Sequence, residues 1–264
     1  MIEINQLTKR FSRQTAVDSI SFEVGSGEVV GFLGPNGAGK TTTLRMLTGY
    51  LPPTSGFASV AGFDVFRDSL AARRQIGYLP ESVPLHHEMR VREYLTFRAR
   101  IKGLRGRDLK RRLDDVLDQC GLQSVRRKMI KTLSKGYRQR VGIADSLIHE
   151  PPLLILDEPT NGLDPNQIRS IRSLIKRLGE DHTIIVSTHI LPEVEMICNK
   201  IIIIDGGRIQ AADTPVQLIA DMRAAGHITA QLKGPADTIG RALGDLDAVK
   251  KVSHEISRDG WDHF

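Results

Sequence analysis

GPNGAGKT, residues 34–41, is the stretch that decides the fold. It follows a short apolar run, residues 28–33, that is typical of a buried strand, and it precedes TTTLRMLTGY, which has the character of a helix. A strand–loop–helix context is what the phosphate-binding motif G-x-x-x-x-G-K-[ST] requires. Glycines let successive backbone N–H groups converge on phosphate oxygens, and the helix N-terminus adds its dipole. We therefore predict a nucleotide phosphate site here rather than a chance glycine-rich turn.

Two side chains complete the chemistry of this loop. Lys40 supplies a cation for the β- and γ-phosphates, and Thr41 supplies a hydroxyl for Mg²⁺. The predicted nucleotide-binding residues of the stretch are Gly34, Pro35, Asn36, Gly37, Ala38, Gly39, Lys40, Thr41 and Thr42.

Acids and a histidine follow two other apolar runs. In LLILDEP, residues 153–159, Asp157 leaves the carboxyl end of a buried strand, where ligands bind in open α/β sheets, and suits a Mg²⁺ site. Glu158 beside it can orient or deprotonate the attacking water. STH, residues 187–189, ends another buried run and places His189 near the terminal phosphate. The alternatives are an acidic pair that caps a helix and a structural histidine, but the phosphate loop in the same chain favours catalysis.

Strand-like and helix-like patterns alternate along the chain, which predicts an α/β fold with a parallel sheet. The first ~30 residues have the period-2 pattern of strands. Residues 70–82 are predicted to return to a strand, and apolar spacing predicts helices from residue 91 onward. Ser134 is expected to cap the third of these helices, a further helix is expected over residues 191–198, and residues 206–207 are expected to turn a hairpin.

The character of the sequence changes near residue 225. Residues 227–257 have a strand–helix–strand pattern, and the chain stops at residues 260–264, where one more strand is expected. We predict a nucleotide-binding domain over residues 1–225, with a helical subdomain inserted at about 83–150, and a small α+β appendage over residues 226–264, either whole or cut short.

Composition limits the class of protein. Hydrophobic residues make up 40% and charged residues 26%, as in ordinary globular proteins, and no apolar run reaches the ~18–20 residues that cross a bilayer. Cys120 and Cys198 have no His or Cys neighbours at metal spacing, so we expect two reduced thiols. The net charge of +6 permits an acidic partner such as nucleic acid or anionic lipid.

Taken in order, these motifs resemble the ATP-binding subunit of an ABC transporter. LSKGYRQR, residues 133–140, looks like the family's LSGGQ signature, and NGLDP, residues 161–165, looks like its D-loop. The resemblance implies a P-loop NTPase core with an N-terminal antiparallel β subdomain, and it implies ATP and Mg²⁺ as cofactors. Glu158, His189 and Lys40 would be catalytic, and Phe11 would stack on adenine. Ser134, Lys135, Gly136 and Tyr137 would contact ATP bound to a second subunit, and Asp164 would belong to the D-loop.

Three positions, in two motifs, depart from the family pattern. The signature has Lys135 for glycine and Tyr137 for glutamine, while Ser134 remains. Glu81, in GYLPES at residues 77–82, stands where the family has the glutamine that senses Mg²⁺ and γ-phosphate. We expect Glu81, with Thr41 and Asp157, to contribute to the metal site; the alternative is a solvated loop carboxylate.

The resemblance implies an exporter subunit that works as a homodimer or with a paired ATPase, bound to an integral membrane permease. We expect it on the cytoplasmic face of the inner or plasma membrane, in the group that includes gliding-motility and multidrug-exporter ATPases. A nucleic-acid or ribosome ATPase and a catalytically idle binding module are the alternatives. A single motif set, no sustained heptads and intact Lys40, Asp157, Glu158 and His189 argue against both, and no specific nucleic acid partner is expected.

Overall fold

The structure is a computed structural model that describes residues 1–224, 230–246, 249, 252–254 and 262–263. The strands, in chain order, are β1 (Ile2–Phe11), β2 (Gln14–Val24), β3 (Val29–Leu33), β4 (Ser55–Val60), β5 (Phe63–Asp64), β6 (Ile76–Leu79), β7 (Leu153–Asp157), β8 (Thr183–Thr188), β9 (Lys200–Asp205), β10 (Arg208–Asp213), β11 (Gln231–Leu232) and β12 (Asp262–His263). The helices are α1 (Lys40–Leu47), α2 (Ser69–Arg74), α3 (Val91–Ile101), α4 (Gly106–Gln119), α5 (Lys135–Leu147), α6 (Pro165–Leu178), α7 (Leu191–Glu195), α8 (Pro215–Ala224) and α9 (Ala236–Gly244).

The chain divides into two compact units, Met1–Pro215 and Val216–Phe264. The first unit holds both large sheets. In the second unit, β11 pairs antiparallel with β12, and α9 lies between them in sequence. The boundary between these two units lies before residue 225, the predicted end of the nucleotide-binding domain. The extent of that domain stays a prediction. The strand predicted over the end of residues 227–257 lies mostly outside the described residues.

A six-stranded sheet forms the centre of the first unit, in the order β10-β9-β3-β8-β7-β6. The pairs β3–β8, β3–β9, β7–β8 and β6–β7 are parallel, and β10 is added antiparallel to β9. Strands β3, β7 and β8 are buried along their whole length, which is why their sequences are continuous apolar runs. The predicted parallel sheet is confirmed.

The predicted N-terminal antiparallel subdomain is a four-stranded sheet in the order β2-β1-β4-β5. Its inward side chains and those of the central sheet share one hydrophobic core, to which α1 adds Leu44, Met46 and Leu47. Complete burial of a side chain of this size stabilises the fold by about 1.5–3 kcal/mol. The core therefore anchors α1, and with it the end of the phosphate loop, between the two sheets.

Helices α3, α4 and α5 make up the inserted helical part, and α5 packs closely against β6. A Cβ on Gly77 of β6 would collide with the carbonyl oxygen of Ser146 in α5. A Cβ on Gly142 of α5 would come within 2.5 Å of Leu79 and 2.6 Å of Val83. These two glycines permit the close approach of the helix to the strand, and the strand leads directly to Glu81.

Of three local predictions, two need correction and one is confirmed. Residues 70–82 are not a strand throughout: residues Ser69–Arg74 form α2, and the strand is limited to β6. The segment SLAARR is rich in good helix formers, which outweigh the strand pattern that follows it. Helix α7 ends at Glu195, short of the predicted residue 198. The hairpin at Gly206 and Gly207 is confirmed, with φ of 54° and 77°.

Two further expectations can be compared with the structure. Cys120 and Cys198 are buried free thiols, and burial raises the pKa of each to about 12. Over the ranges that the structure describes, no helix is both long enough and apolar enough to cross a bilayer.

Candidate functional site

Four loops meet at the carboxyl edge of the central sheet. The phosphate loop follows β3, Glu81 follows β6, Glu158 follows β7 and His189 follows β8. Because these strands are parallel, their carboxyl ends lie on one side of the sheet. The topology therefore brings together side chains that are more than 100 residues apart in sequence.

The phosphate loop depends on glycine at two positions. Gly37 and Gly39 have φ of 83° and 105°, in the left-handed region that favours glycine. A Cβ on Gly39 would also lie 2.5 Å from the carbonyl oxygen of Ala16 in β2. Gly39 is the N-cap of α1, so the loop's backbone N–H groups end at the positive end of this helix.

Lys40 begins α1 and folds back across the loop. Its Nζ donates to the carbonyl oxygens of Gly34 at 2.7 Å and Pro35 at 3.1 Å, and it lies 3.4 Å from Glu158 Oε1. Lys40 and Glu158 are both buried, so the ion pair is shielded from water. A buried ammonium held by two carbonyls and one carboxylate can transfer its donors to phosphate oxygens without new desolvation.

Glu158 links the lysine to His189. His189 Nδ1 lies 3.0 Å from Glu158 Oε2 and 3.2 Å from Oε1. The Glu158 backbone has φ of 47°, an unusual conformation for a residue other than glycine, and its N–H donates to Ser187 Oγ at 2.9 Å. Non-glycine residues persist in this region only where their surroundings hold them, and such residues cluster at functional sites.

Asp157 is the residue that best fits a Mg²⁺ site. Its Oδ1 accepts hydrogen bonds from Ser187 Oγ at 2.5 Å and Thr41 Oγ1 at 3.3 Å. Its Oδ2 is buried and has no hydrogen-bond partner within the described ranges. Burial raises the pKa of Asp157, the two hydroxyls lower it, and the charge of Glu81 raises it further.

This donor set suits a hard cation that also takes phosphate oxygens as ligands. A hydroxyl beside a carboxylate with one free oxygen is oxygen ligation of the kind that Mg²⁺ prefers. Among the residues described, no group of three or more His, Cys, Asp or Glu side chains could hold a metal alone. The chain would thus supply part of the coordination sphere, and a bound nucleotide would supply the rest.

One cavity of about 440 Å³ joins these elements, and we call it the phosphate cavity. It is lined by Ala16, Asn36, Gly37, Gly39, Lys40, Thr41, Thr42, Glu81, Glu158, Asn161 and His189. Nine of these eleven residues are predicted site residues. Asp157 does not line the cavity, but it accepts a hydrogen bond from the lining residue Thr41. Phe11 is 46% exposed and does not line the cavity.

Sequence reasoning missed several residues of the site. Ala16 and Asn161 line the cavity, and Ser187 binds both Asp157 and the Glu158 backbone. The buried Glu193 accepts hydrogen bonds from Thr160 at 2.7 Å and Thr188 at 3.0 Å, and so ties the loops after β7 and β8 together. Ser187 lies within the STH stretch and Asn161 within the NGLDP stretch, so both could have been found there; Ala16, Thr160 and Glu193 carry no local signal.

Three of the four predicted signature residues line a different cavity, of about 430 Å³. We call it the signature cavity; it is lined by Gly121, Ser134, Gly136, Tyr137, Arg140, Asn166, Gln167, Ser170 and Ile171. Ser134 caps α5 as predicted, because its side chain accepts a hydrogen bond from the Tyr137 N–H. A Cβ on Gly136 would collide with the end of the Gln167 side chain, which would have to move to admit it.

Lys135 and Asp164 lie beside the signature cavity. The Lys135 ammonium packs against Gly162, where an added Cβ would collide with it. This contact connects the signature stretch to the D-loop stretch. Asp164 is the N-cap of α6 and accepts hydrogen bonds from the N–H groups of Asn166 and Gln167 at 3.0 Å each. Neither residue lines the phosphate cavity.

The fold and the phosphate cavity define a P-loop ATPase. The family model described as "ABC transporter" matches residues 17–161, more than half of the chain, and a model described as an AAA domain matches residues 127–196. The chain therefore belongs to the ABC transporter family: it is an ATP-binding subunit of such a transporter and hydrolyses ATP.

Curated relatives and solved structures agree with this assignment. The bacitracin transport ATP-binding protein BcrA of Bacillus licheniformis is 42% identical over 211 residues, which cover 79% of this chain and 68% of the relative. The linearmycin resistance ATP-binding protein LnrL of Bacillus subtilis (strain 168) is 34% identical over 258 residues, covering 97% and 83%. A dimeric bacterial ABC transporter cassette matches with a TM-score of 0.74 and 25% identity, covering 81% of this chain and 98% of its own.

Proposed function

We propose that this chain powers an ABC exporter by ATP-dependent dimerisation, coupled to a separate membrane permease. The observation that carries the proposal is Glu158, held at the phosphate cavity 3.4 Å from Lys40 and 3.0 Å from His189. Export is supported by the two relatives, a bacitracin transport ATP-binding protein and a linearmycin resistance ATP-binding protein.

In this proposal the phosphates of ATP occupy the loop at residues 34–41. Lys40 turns its donors from the carbonyl oxygens of Gly34 and Pro35 to the phosphate oxygens. Its attraction to Glu158 weakens, and Glu158 becomes free to accept a proton from the attacking water. His189 holds the Glu158 carboxylate in place and can contact the terminal phosphate.

Thr41, Asp157 and Glu81 are the proposed metal ligands. When bound, Mg²⁺ would draw negative charge from the β- and γ-phosphates. The free Oδ2 of Asp157 supports this assignment, as does the place of Glu81 on the wall of the phosphate cavity. Phe11, exposed at the end of β1, is proposed to stack on adenine at the open side of the same site.

The signature residues are proposed to act on ATP bound to a second subunit. Ser134 and Gly136 lie at the N-terminus of α5, whose positive dipole end suits the γ-phosphate. They line a cavity that shares no lining residue with the phosphate cavity, and this separation supports action in trans. Two equivalent sites then form across a two-fold axis, and hydrolysis removes the ATP that holds the dimer together. Lys135, Tyr137 and Asp164 belong to the same proposed interface.

The permease is the proposed membrane partner, which would place the chain on the cytoplasmic face of the membrane. Purification of the tagged chain from membranes tests this part of the proposal. A multi-span membrane protein should be recovered with it, whereas salt-sensitive binding of nucleic acid without membrane association would contradict the exporter assignment.

Glu158→Gln tests the catalytic assignment. The amide keeps the size of the side chain but cannot accept the proton, so hydrolysis should fall by about 10²–10⁴-fold while ATP still binds. Size-exclusion chromatography with ATP should then show a stable dimer. Glu180→Gln, an exposed acid beyond the end of α6, is the matched control. Normal hydrolysis in Glu158→Gln would show that Glu158 is not the base.

A further inference from the structure

A hydrogen bond links the loops that follow β6 and β7 at the wall of the phosphate cavity. Asn161 Nδ2 donates to Glu81 Oε1 at 3.0 Å, and both residues line the cavity. They are 80 residues apart in sequence, and they come together because β6 and β7 are parallel neighbours. No local feature of the sequence pairs these two residues, so the contact is a consequence of the fold.

Asn161 is the anchored member of this pair. Its N–H donates to the carbonyl oxygen of Glu158 at 3.1 Å, which closes a tight turn directly after the proposed base. The preceding Thr160 is fixed by its hydrogen bond to the buried Glu193. The Asn161 side chain therefore extends from a fixed backbone, whereas Glu81 lies exposed on the loop after a four-residue strand.

A carboxylate that accepts one amide hydrogen bond still has free lone pairs. Asn161 occupies one site on Glu81 Oε1, and the other oxygen remains available to a cation. The amide is neutral, so it orients Glu81 without cancelling the charge that a hard cation requires. A ligand that is already oriented loses less conformational entropy when it binds.

We propose that Asn161 is a positioning residue for Mg²⁺·nucleotide binding, which holds the Glu81 carboxylate ready at the wall of the phosphate cavity. This inference rests on the proposed function, in which Glu81 is a metal ligand. Asn161 belongs to the D-loop stretch, which was proposed above to lie at the interface with a second subunit. The inference gives this stretch a second role, at the phosphate site of the same subunit.

Equilibrium binding of a non-hydrolysable ATP analogue to the full chain tests the inference, with Mg²⁺ varied from none to saturation. Asn161→Ala should weaken binding in saturating Mg²⁺ by about two- to fivefold, the usual worth of one hydrogen bond, and leave binding in EDTA unchanged. Asn5→Ala, an exposed asparagine on β1 in the other sheet, is the matched control and should behave as wild type.

A double-mutant cycle separates positioning from a general effect on the loop. In a Glu81→Ala background, Asn161→Ala should have no further effect on Mg²⁺-dependent binding, because no carboxylate remains to be held. Equal losses in both backgrounds, or wild-type binding by Asn161→Ala at every Mg²⁺ concentration, would overturn the inference.

The same cycle distinguishes failure of this inference from failure of the proposed function. If Glu81→Ala alone leaves the Mg²⁺ dependence unchanged, the metal role of Glu81 is wrong and the inference fails with it. If Glu81→Ala changes the dependence and Asn161→Ala does not, only the role of Asn161 is wrong. Both side chains are exposed, so each variant should fold, and thermal melting of each variant checks this.

Discussion

His149 should make the stability of this protein depend on pH. The residue follows α5, and its Nε2 donates to the carbonyl oxygen of Ile76 at 3.2 Å. Its Nδ1 is buried and meets no hydrogen-bond partner in the part of the chain that the structure describes. Burial, with a smaller contribution from the charge of Lys102, lowers the pKa of His149 from 6.5 to about 4. The folded protein therefore holds a neutral imidazole over a pH range in which the unfolded chain binds a proton.

The sign and size of the effect follow from this difference in pKa. Between pH 6.5 and about 4 the unfolded state binds more protons, so stability falls as pH falls. The whole difference corresponds to about 3 kcal/mol, of which about 2 kcal/mol is lost by pH 5. The loss begins near the pKa of the unfolded state and is complete below that of the folded state.

Urea unfolding followed by circular dichroism measures this loss against His149→Gln, which keeps an amide donor for Ile76 and does not titrate. The difference in free energy of unfolding between wild type and variant should change by about 2 kcal/mol from pH 7.5 to pH 5, to the disadvantage of the wild type. His87→Gln, at an exposed histidine, controls for the loss of a histidine. A constant difference between wild type and His149→Gln across this range would refute the reasoning.

Four further variants test the site and its support. Lys40→Ala should lower ATP affinity by about 10–100-fold, as expected for charged hydrogen bonds to phosphate, and unchanged affinity in calorimetry would remove residues 34–41 from the site. Gly77→Ala should destabilise the protein by about 1–3 kcal/mol, because the new methyl meets backbone, whereas Gly142→Ala should cost less, because it meets flexible side-chain ends and gains helix propensity; equal melting temperatures would contradict this ranking. Asp164→Ala should cost about 1 kcal/mol through loss of the α6 cap, and denaturant unfolding that matches wild type would show that water replaces it.

The main parts of the phosphate site could be predicted because parallel strands impose a simple geometry. Lys40, Glu158 and His189 each follow a buried apolar run, and the carboxyl ends of such runs meet at one edge of a sheet. The sequence therefore indicated which residues converge without indicating a single distance. It could not indicate that Glu158 has a left-handed backbone, since no local preference of glutamate leads to that conformation.

Contacts between loops could not be predicted from the sequence. Asn161 and Glu81 meet only because β6 and β7 are neighbours, and Glu193 joins Thr160 to Thr188 across two loops. Strand order and loop conformation decide such pairs, and neither is encoded within a short window. The predicted adenine contact of Phe11 and the action of the signature residues in trans stay predictions.

The close packing of α5 on β6 has a mechanical consequence. Ser134 lies at one end of α5, and Gly142, midway along the helix, rests on the strand and loop that lead to Glu81. A helix packed this closely cannot slide along the strand without a steric collision. We therefore expect the proposed interface at Ser134 and the loop that carries Glu81, a proposed metal ligand, to move together. In the proposed dimer, a nucleotide bound at a subunit's own phosphate site would then change the orientation of the signature residues that this subunit offers to its partner.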